Sequence, residues 1–147
     1  MKIDQTNIKI IKHLRDGRKS YKKIAEDLNI TENTVRSRVN KLIEDKVLDI
    51  TGLVDASAIA GHQEVIFGVK LNDMDLLTKG DEFSNLKGVS SVSIVTGRYD
   101  LILRVLLNES LTLLQFITEQ VIKIKGVKSV ESFVVYKGFN LKTPYIL

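Results

Sequence analysis

Cysteine is absent from this 147-residue chain, which excludes disulfides and thiolate metal sites. Histidine occurs only at His13 and His62, too few for a typical zinc cluster. No uninterrupted apolar run approaches the roughly 20 residues of a membrane helix. The opening MKIDQTNIKII is broken by Asp, Gln, Thr and Asn, unlike a secretory signal. Paired carboxylates at a catalytic spacing, a Gly-rich phosphate loop and a Ser/His/Asp set are also missing. These absences point away from an enzyme, from a cofactor and from a membrane partner. They leave a cytoplasmic protein as the expectation, with room for one ordinary domain or two small ones.

What is present is unevenly placed. The first 50 residues hold 12 Lys/Arg against 8 Asp/Glu, whereas the remainder holds ten of each. The whole net charge of +4 therefore lies in the first third, as expected if that part meets a polyanion such as double-stranded DNA.

The same third carries a three-helix pattern. Asp4 is a candidate cap for a helix over TNIKIIKHLRDG, with Ile8, Ile11 and Leu14 as its apolar stripe and Gly17 as its stop. Ser20 can cap YKKIAEDL, whose Ile24, Ala25 and Leu28 face inward. Asn29, a residue that tolerates the left-handed conformation, and Ile30 make a tight connection. Thr31 then caps ENTVRSRVNKLIEDK, with Val35, Val39, Leu42 and Ile43 on one face. Two short helices joined by so brief a turn and braced by a first helix form a helix-turn-helix.

At about 100° per residue, the face opposite Val35 and Val39 displays Asn33, Ser37, Asn40 and Glu44, with Arg36 and Lys41 on its flanks. Asn and Ser can read base edges, while Arg and Lys neutralise phosphates or pair with guanine. Thr34 opens the same helix, and Arg38 falls beside the buried stripe, either structural or within reach of a phosphate. Tyr21, Lys22 and Lys23 open the second helix, where backbone N–H groups commonly hold phosphate. The candidate DNA-contacting set is thus Tyr21, Lys22, Asn33, Thr34, Arg36, Ser37, Arg38, Asn40 and Lys41.

VLDITGLVDASAIAG follows, broken by Gly52 and Gly61, and reads as a strand and short linker. The expected division is a DNA-binding domain at 1–50, a connector at 51–63 and a second domain at 64–147. In that second domain, 64–71, 89–95, 100–107 and 130–137 read as strands, and 75–86 and 110–124 as helices. Lys87-Gly88-Val89-Ser90-Ser91-Val92 reappears as Lys125-Gly126-Val127-Lys128-Ser129-Val130, each copy following a helix and leading into a strand. The fold class is therefore α+β: a helix-turn-helix domain joined to a ferredoxin-like βαββαβ domain.

Two helices cover one face of such a sheet. Leu101, Leu103, Val105 and Leu107 suit that face, yet Ile102, Leu106, Phe133 and Val135 lie on the other. Strands apolar on both sides are normally buried on both sides, so the second face is expected to meet another copy of the chain. A two-fold protein also suits two DNA half-sites.

The order and spacing of these features resembles the Lrp/AsnC (leucine-responsive and asparagine, or feast/famine) regulators nearly end to end. The resemblance rests on Asp4, Ile8, Ile11, Leu14, Gly17 and Arg18, on TENTVRSRVNKLIEDKVL, and on TGRYDLIL before a βαβ ending in GVKSVESFVV. Lys46 departs from it, standing where the family often has Gly. The resemblance implies a DNA-binding transcriptional regulator that dimerises through its C-terminal domain and often assembles to octamers. It also implies an amino-acid effector bound at contacts between dimers, near the TGRYD hairpin, carried over here to Gly97, Arg98, Tyr99, Asp100, Phe133, Val134 and Val135. Asp100 could accept an ammonium, and N–H groups beside Gly97 could hold a carboxylate. Alternatively, Gly97 only permits the turn, Asp100 caps it and Arg98 is solvated. Two rival functions share the architecture: a siroheme-decarboxylase-like enzyme, for which the hairpin lacks histidine, and a ligand-independent architectural DNA-binding protein.

Overall fold

Each of the first three helices starts on a side chain that takes up a backbone N–H left over at its N-terminus. In the computed structural model, which describes residues 3–147, Asp4 caps α1 (Gln5–Leu14) through Asn7 N at 2.7 Å. Ser20 caps α2 (Tyr21–Leu28) and Thr31 caps α3 (Glu32–Glu44), accepting from Lys23 N and Thr34 N, both at 3.2 Å. The chain divides into two compact units, Met1–Thr51 and Gly52–Leu147.

The first unit is built around Ile10, Ile24, Ala25, Val35 and Val39, with Leu14, Tyr21, Leu28 and Ile30 against them. The inward stripe of α1 differs from the expected one: Ile10 and Asn7 are buried, while Ile8 is exposed. Asn7 turns inward because its carbonyl has a side-chain donor there, described below. Ile43 is likewise exposed, since α3 ends at Glu44 and Leu42 fills the inward position. Helix α1 also stops short of Gly17, at Leu14, and Gly17 is not left-handed.

Both remaining helix ends need a left-handed residue. Asn29 supplies it after α2, at φ 53°, with Ile30 N donating to Ala25 O at 3.0 Å. After α3 the role falls to Lys46, at φ 55°, where Lys46 N donates to Ile43 O and Val47 N to Leu42 O. These paired bonds form a Schellman closure, a geometry usually given to glycine because a Cβ there is strained.

In the second unit, β1 (Leu53–Val54) pairs with β6 (Thr143–Pro144), so the strand expected in the connector is two residues long, and a 3-10 turn at Ala56–Ala58 follows it. The main sheet holds β2 (Gln63–Leu71), β3 (Val89–Ile94), β4 (Leu101–Leu107) and β5 (Val127–Val134) in the antiparallel order β3-β4-β2-β5. Two helical segments, α4 (Leu76–Ser84) and α5 (from Leu113, widening into a π turn and then tightening to a 3-10 turn ending at Lys123), complete the ferredoxin-like βαββαβ unit. α5 begins three residues after the expected start, because Thr112 and Gln115 form a reciprocal capping box there. Strand β5 ends at Val134 rather than continuing to residue 137.

One sheet face and the two helices enclose the core: Val65, Phe67, Val69, Leu101, Leu103 and Val105 pack with Phe83, Phe116 and Val121. The repeated Lys-Gly-Val element has a common physical basis. Gly88 and Gly126 both take positive φ, 85° and 83°, in the turns that feed β3 and β5. At Gly88 a Cβ would also lie 2.6 Å from Leu106 O, so no other residue fits.

The face without helices is mixed rather than uniformly apolar. Register places Ile66, Ile102 and Phe133 on it, together with Ser91, Ser93, Lys70, Glu131 and a paired Glu64 and Arg104. Arg104 Nε donates to the buried Glu64 at 2.7 Å, so that charge is compensated within the chain.

Candidate DNA-reading helix and effector site

Helix α3 presents Asn33, Ser37, Asn40 and Glu44 to solvent on one side, while Val35, Val39 and Leu42 are buried on the other. Lys22 is exposed at the start of α2, and Tyr21 beside it is half-buried. Arg36 lies 5.5 Å above the Tyr21 ring and pairs with Glu32 at 2.7 Å, one turn back on its own helix. Lys41 pairs with Asp45 at 2.9 Å, and that carboxylate raises the ammonium's pKa above its ordinary value. Such exposed i,i+4 pairs are weak and screened by solvent, so a phosphate can take over either cation. Thr34 is tied to the cap, its Oγ1 2.9 Å from that of Thr31.

Arg38 differs from its neighbours. Its Nη1 donates to Asp4 Oδ2 at 2.7 Å and to the Oδ1 of buried Asn7 at 2.8 Å. The Arg38 guanidinium beside Asp4 holds that carboxyl below its ordinary range. A cleft of about 600 Å³ opens here, lined by Asp4, Asn7, Asn33, Thr34, Ser37, Arg38 and Lys41. Seven of the nine expected DNA-facing residues keep a side exposed on α2 and α3, whereas Arg38 and Thr34 are committed to internal partners.

In the second unit the hairpin tip Val95–Asp100 joins β3 to β4, closed by Val95 N donating to Asp100 O at 3.0 Å. Gly97 sits at φ 124° with open space where a Cβ would project. Asp100 is not an open carboxylate. Lys70 Nζ donates to Oδ1 at 2.7 Å and Leu71 N donates to Oδ2 at 2.8 Å. The Leu71 N–H, left over where β2 slips register against β5, lowers the Asp100 pKa, and Lys70 lowers it further. Asp100 therefore latches the hairpin to β2, and its use as an ammonium acceptor would first have to displace Lys70.

A second carboxylate, missed by sequence reasoning, stands nearby. Glu131 on β5 accepts from the Tyr99 hydroxyl and pairs with Arg98 Nη2 at 3.1 Å. It also raises the Tyr99 pKa, keeping the phenol protonated as the donor. The Tyr99 ring lies flat over Gly68, where a Cβ would be 2.7 Å from three ring atoms, and meets Phe133 edge-on at 6.0 Å between centroids. Glycine inside the strand run EVIFGVKL was the available signal, because a mid-strand glycine marks close approach by another group. Register places Gly68 directly opposite Glu131 on one side and Ile102 on the other.

The expected effector residues thus divide. Arg98 and Tyr99 bond Glu131 and Phe133 meets the Tyr99 ring, while Gly97 stays in the turn that Asp100 anchors. Val134 and Val135 instead line a separate cavity of about 260 Å³ with Asp55, His62 and Glu64. Among the described residues there is no cluster of three or more His, Cys, Asp or Glu able to hold a metal ion. Among them also, no helix is long and apolar enough to cross a membrane.

Comparison with known proteins places this geometry. Residues 3–43 match the AsnC-type helix-turn-helix domain and residues 64–144 the Lrp/AsnC ligand binding domain. The HTH-type transcriptional regulator PH0140 of Pyrococcus horikoshii is 31% identical over 134 residues, covering 90% of this chain and 85% of that one. The crystal structure of PH0061 superposes with a TM-score of 0.79 at 25% identity, covering 97% and 98% of the two chains. The transcriptional regulator NMB0573 of Neisseria meningitidis, solved as its L-Met complex, has the same fold, with a TM-score of 0.69 at 19% identity over 99% and 96%. The two family models cover the helix-turn-helix of the first unit and the βαββαβ fold of the second, and the chain belongs to the Lrp/AsnC family of DNA-binding transcriptional regulators.

Proposed function

We propose that this regulator reads DNA with Asn33, Ser37 and Asn40, anchors on phosphates through Lys22, Arg36 and Lys41, and is modulated by a free amino acid held at Glu131. The observation that carries the effector half is the half-exposed Glu131 carboxylate, flanked by the Tyr99 phenol, the Arg98 guanidinium and the Phe133 ring. An amino acid needs an acceptor for its ammonium, which Glu131 supplies, and donors for its carboxylate, which Arg98 and the N–H groups beside Gly97 supply. Phe133 offers apolar surface to a side chain. The L-Met bound by the Neisseria regulator is of this chemical class.

The reading includes a homodimer formed through the helix-free sheet face, where Ile66, Ile102 and Phe133 have no helix over them, with further assembly toward octamers and action in the cytoplasm where DNA is available. Sedimentation of the purified chain tests the assembly, and a monomer at micromolar concentration would refute it.

Two measurements test the rest. A thermal-shift panel of the common amino acids is expected to raise the wild-type melting temperature for at least one compound. Glu131→Gln is expected to abolish that rise; a rise retained in the variant would remove Glu131 from the site. For DNA, the Arg36→Ala/Lys41→Ala double variant is expected to flatten log K against log salt by roughly 0.9 for each phosphate that is no longer neutralised. An unchanged slope would show that these cations do not face phosphate.

A further inference from the structure

The three cations of α3 are not equivalent. Arg36 and Lys41 form ion pairs one turn away, with Glu32 and Asp45, Arg36 also lying over the Tyr21 ring, and their side chains are 56% and 54% exposed. Arg38 is 32% exposed and reaches across the unit to α1, to residues 34 and 31 positions earlier. Its partners are doubly committed. Asp4 uses one oxygen to cap α1 and the other to accept from Arg38. Asn7 is buried at 4% exposure, and Arg38 is the donor to its carbonyl.

Turning Arg38 outward to a phosphate would strip the amide oxygen of buried Asn7 of its donor, which is unfavourable, and would break the 2.7 Å pair with half-exposed Asp4. Keeping it inward locks α3 against the N-terminus of α1, and the lock acts at the middle of α3, next to Ser37. Base reading tolerates little rotation of the helix that carries Asn33, Ser37 and Asn40; a binding constellation must be held to about 0.5 Å and 10–20°.

We infer that Arg38 is a positioning residue for base reading and not a phosphate ligand: with Asp4 and Asn7 it fixes the rotation of α3. Two consequences separate this from a phosphate ligand. A phosphate ligand contributes to the salt dependence of binding, and a positioning residue does not. Moreover, Asp4 would hold a phosphate-binding arginine back, so its neutralisation would tighten binding; as part of the lock, its neutralisation weakens discrimination.

The test uses the full-length chain as wild type, Arg38→Gln, Asp4→Asn and the double variant. The probes are a duplex enriched by the wild type from a random-sequence library and a scrambled duplex of the same composition. Asn is as good a helix cap as Asp, so Asp4→Asn keeps α1 intact, and circular dichroism fixes a temperature at which each variant is fully folded. Arg38→Gln is expected to lower the ratio of enriched to scrambled affinity on the order of tenfold, with the salt slope unchanged. Asp4→Asn shifts the ratio the same way, and the double variant loses no more than the worse single one. General destabilisation would lower both affinities together and leave the ratio fixed. A slope reduced by about 0.9 in Arg38→Gln, tighter binding by Asp4→Asn, or an unmoved ratio would each overturn the assignment. Should Arg38→Gln fail to fold, the direction of the Asp4→Asn effect decides alone.

Discussion

The two units carry their candidate sites in opposite ways. In the N-terminal unit the reading face is one face of one helix, so residues 33, 37 and 40 are neighbours in sequence as well as in space. In the C-terminal unit the cluster of Gly68, Arg98, Tyr99, Glu131 and Phe133 draws on two strands and a hairpin, assembled only by sheet register. Helical periodicity exposes the first kind of site to inspection. The second kind depends on which strand lies beside which, and on a slip at Lys70/Leu71 that no local pattern announces.

The comparison is broken most severely by filling Gly68. Gly68→Ala would place a Cβ against the Tyr99 ring, and forced overpacking of this kind costs about 1–3 kcal/mol. The melting temperature should fall, and Tyr99, parted from Glu131, should titrate closer to an ordinary tyrosine in its tyrosinate absorbance. If neither moves, the ring does not rest on Gly68. The change should leave DNA binding by the N-terminal unit measurable, which distinguishes the two sites.

A smaller effect of opposite sign is expected at Lys46. Lys46→Gly relieves a left-handed residue, offset in part by the greater freedom of glycine in the unfolded chain, for a net gain of up to about 1 kcal/mol. Chemical denaturation should show a higher midpoint at unchanged slope; a lower midpoint would mean that Lys46 carries a compensating interaction.

The smallest effect concerns the latch. Because the Asp100 pKa is lowered in the folded chain, chiefly by the Leu71 N–H and then by Lys70, its stabilisation is complete above the unfolded value of 3.8. It fades as pH falls through the lower folded value. Asp100→Asn should therefore be less stable than wild type at neutral pH, with the two denaturation curves converging in strong acid. A constant gap at all pH values would contradict the latch.

Much of the fold was legible. The three caps Asp4, Ser20 and Thr31, the left-handed Asn29 and the tandem Lys-Gly-Val turns each have a local physical cause, and the sequence displays it. Asn7 and Arg38 were less so, because a buried polar pair looks like an interruption of an apolar stripe until its partner is seen. Asp100 was open to two readings, an ammonium acceptor or a cap of its turn, and its partners, the Lys70 ammonium and the Leu71 N–H on β2, lie 30 and 29 residues away, where no local pattern displays them. Glu131 escaped notice because a single carboxylate in a strand has no signature of its own.

If an amino acid at Glu131 governs DNA reading by α3, the two sites are thermodynamically linked, and one measurement decides it. Affinity for the enriched duplex is determined with and without each common amino acid, for wild type and Glu131→Gln. Coupling between two sites typically amounts to about 1–3 kcal/mol, a five- to 150-fold change in affinity. Such a change is expected for at least one amino acid in the wild type and for none in the variant. Equal affinity under all conditions in the wild type, or the same response in both proteins, would contradict it.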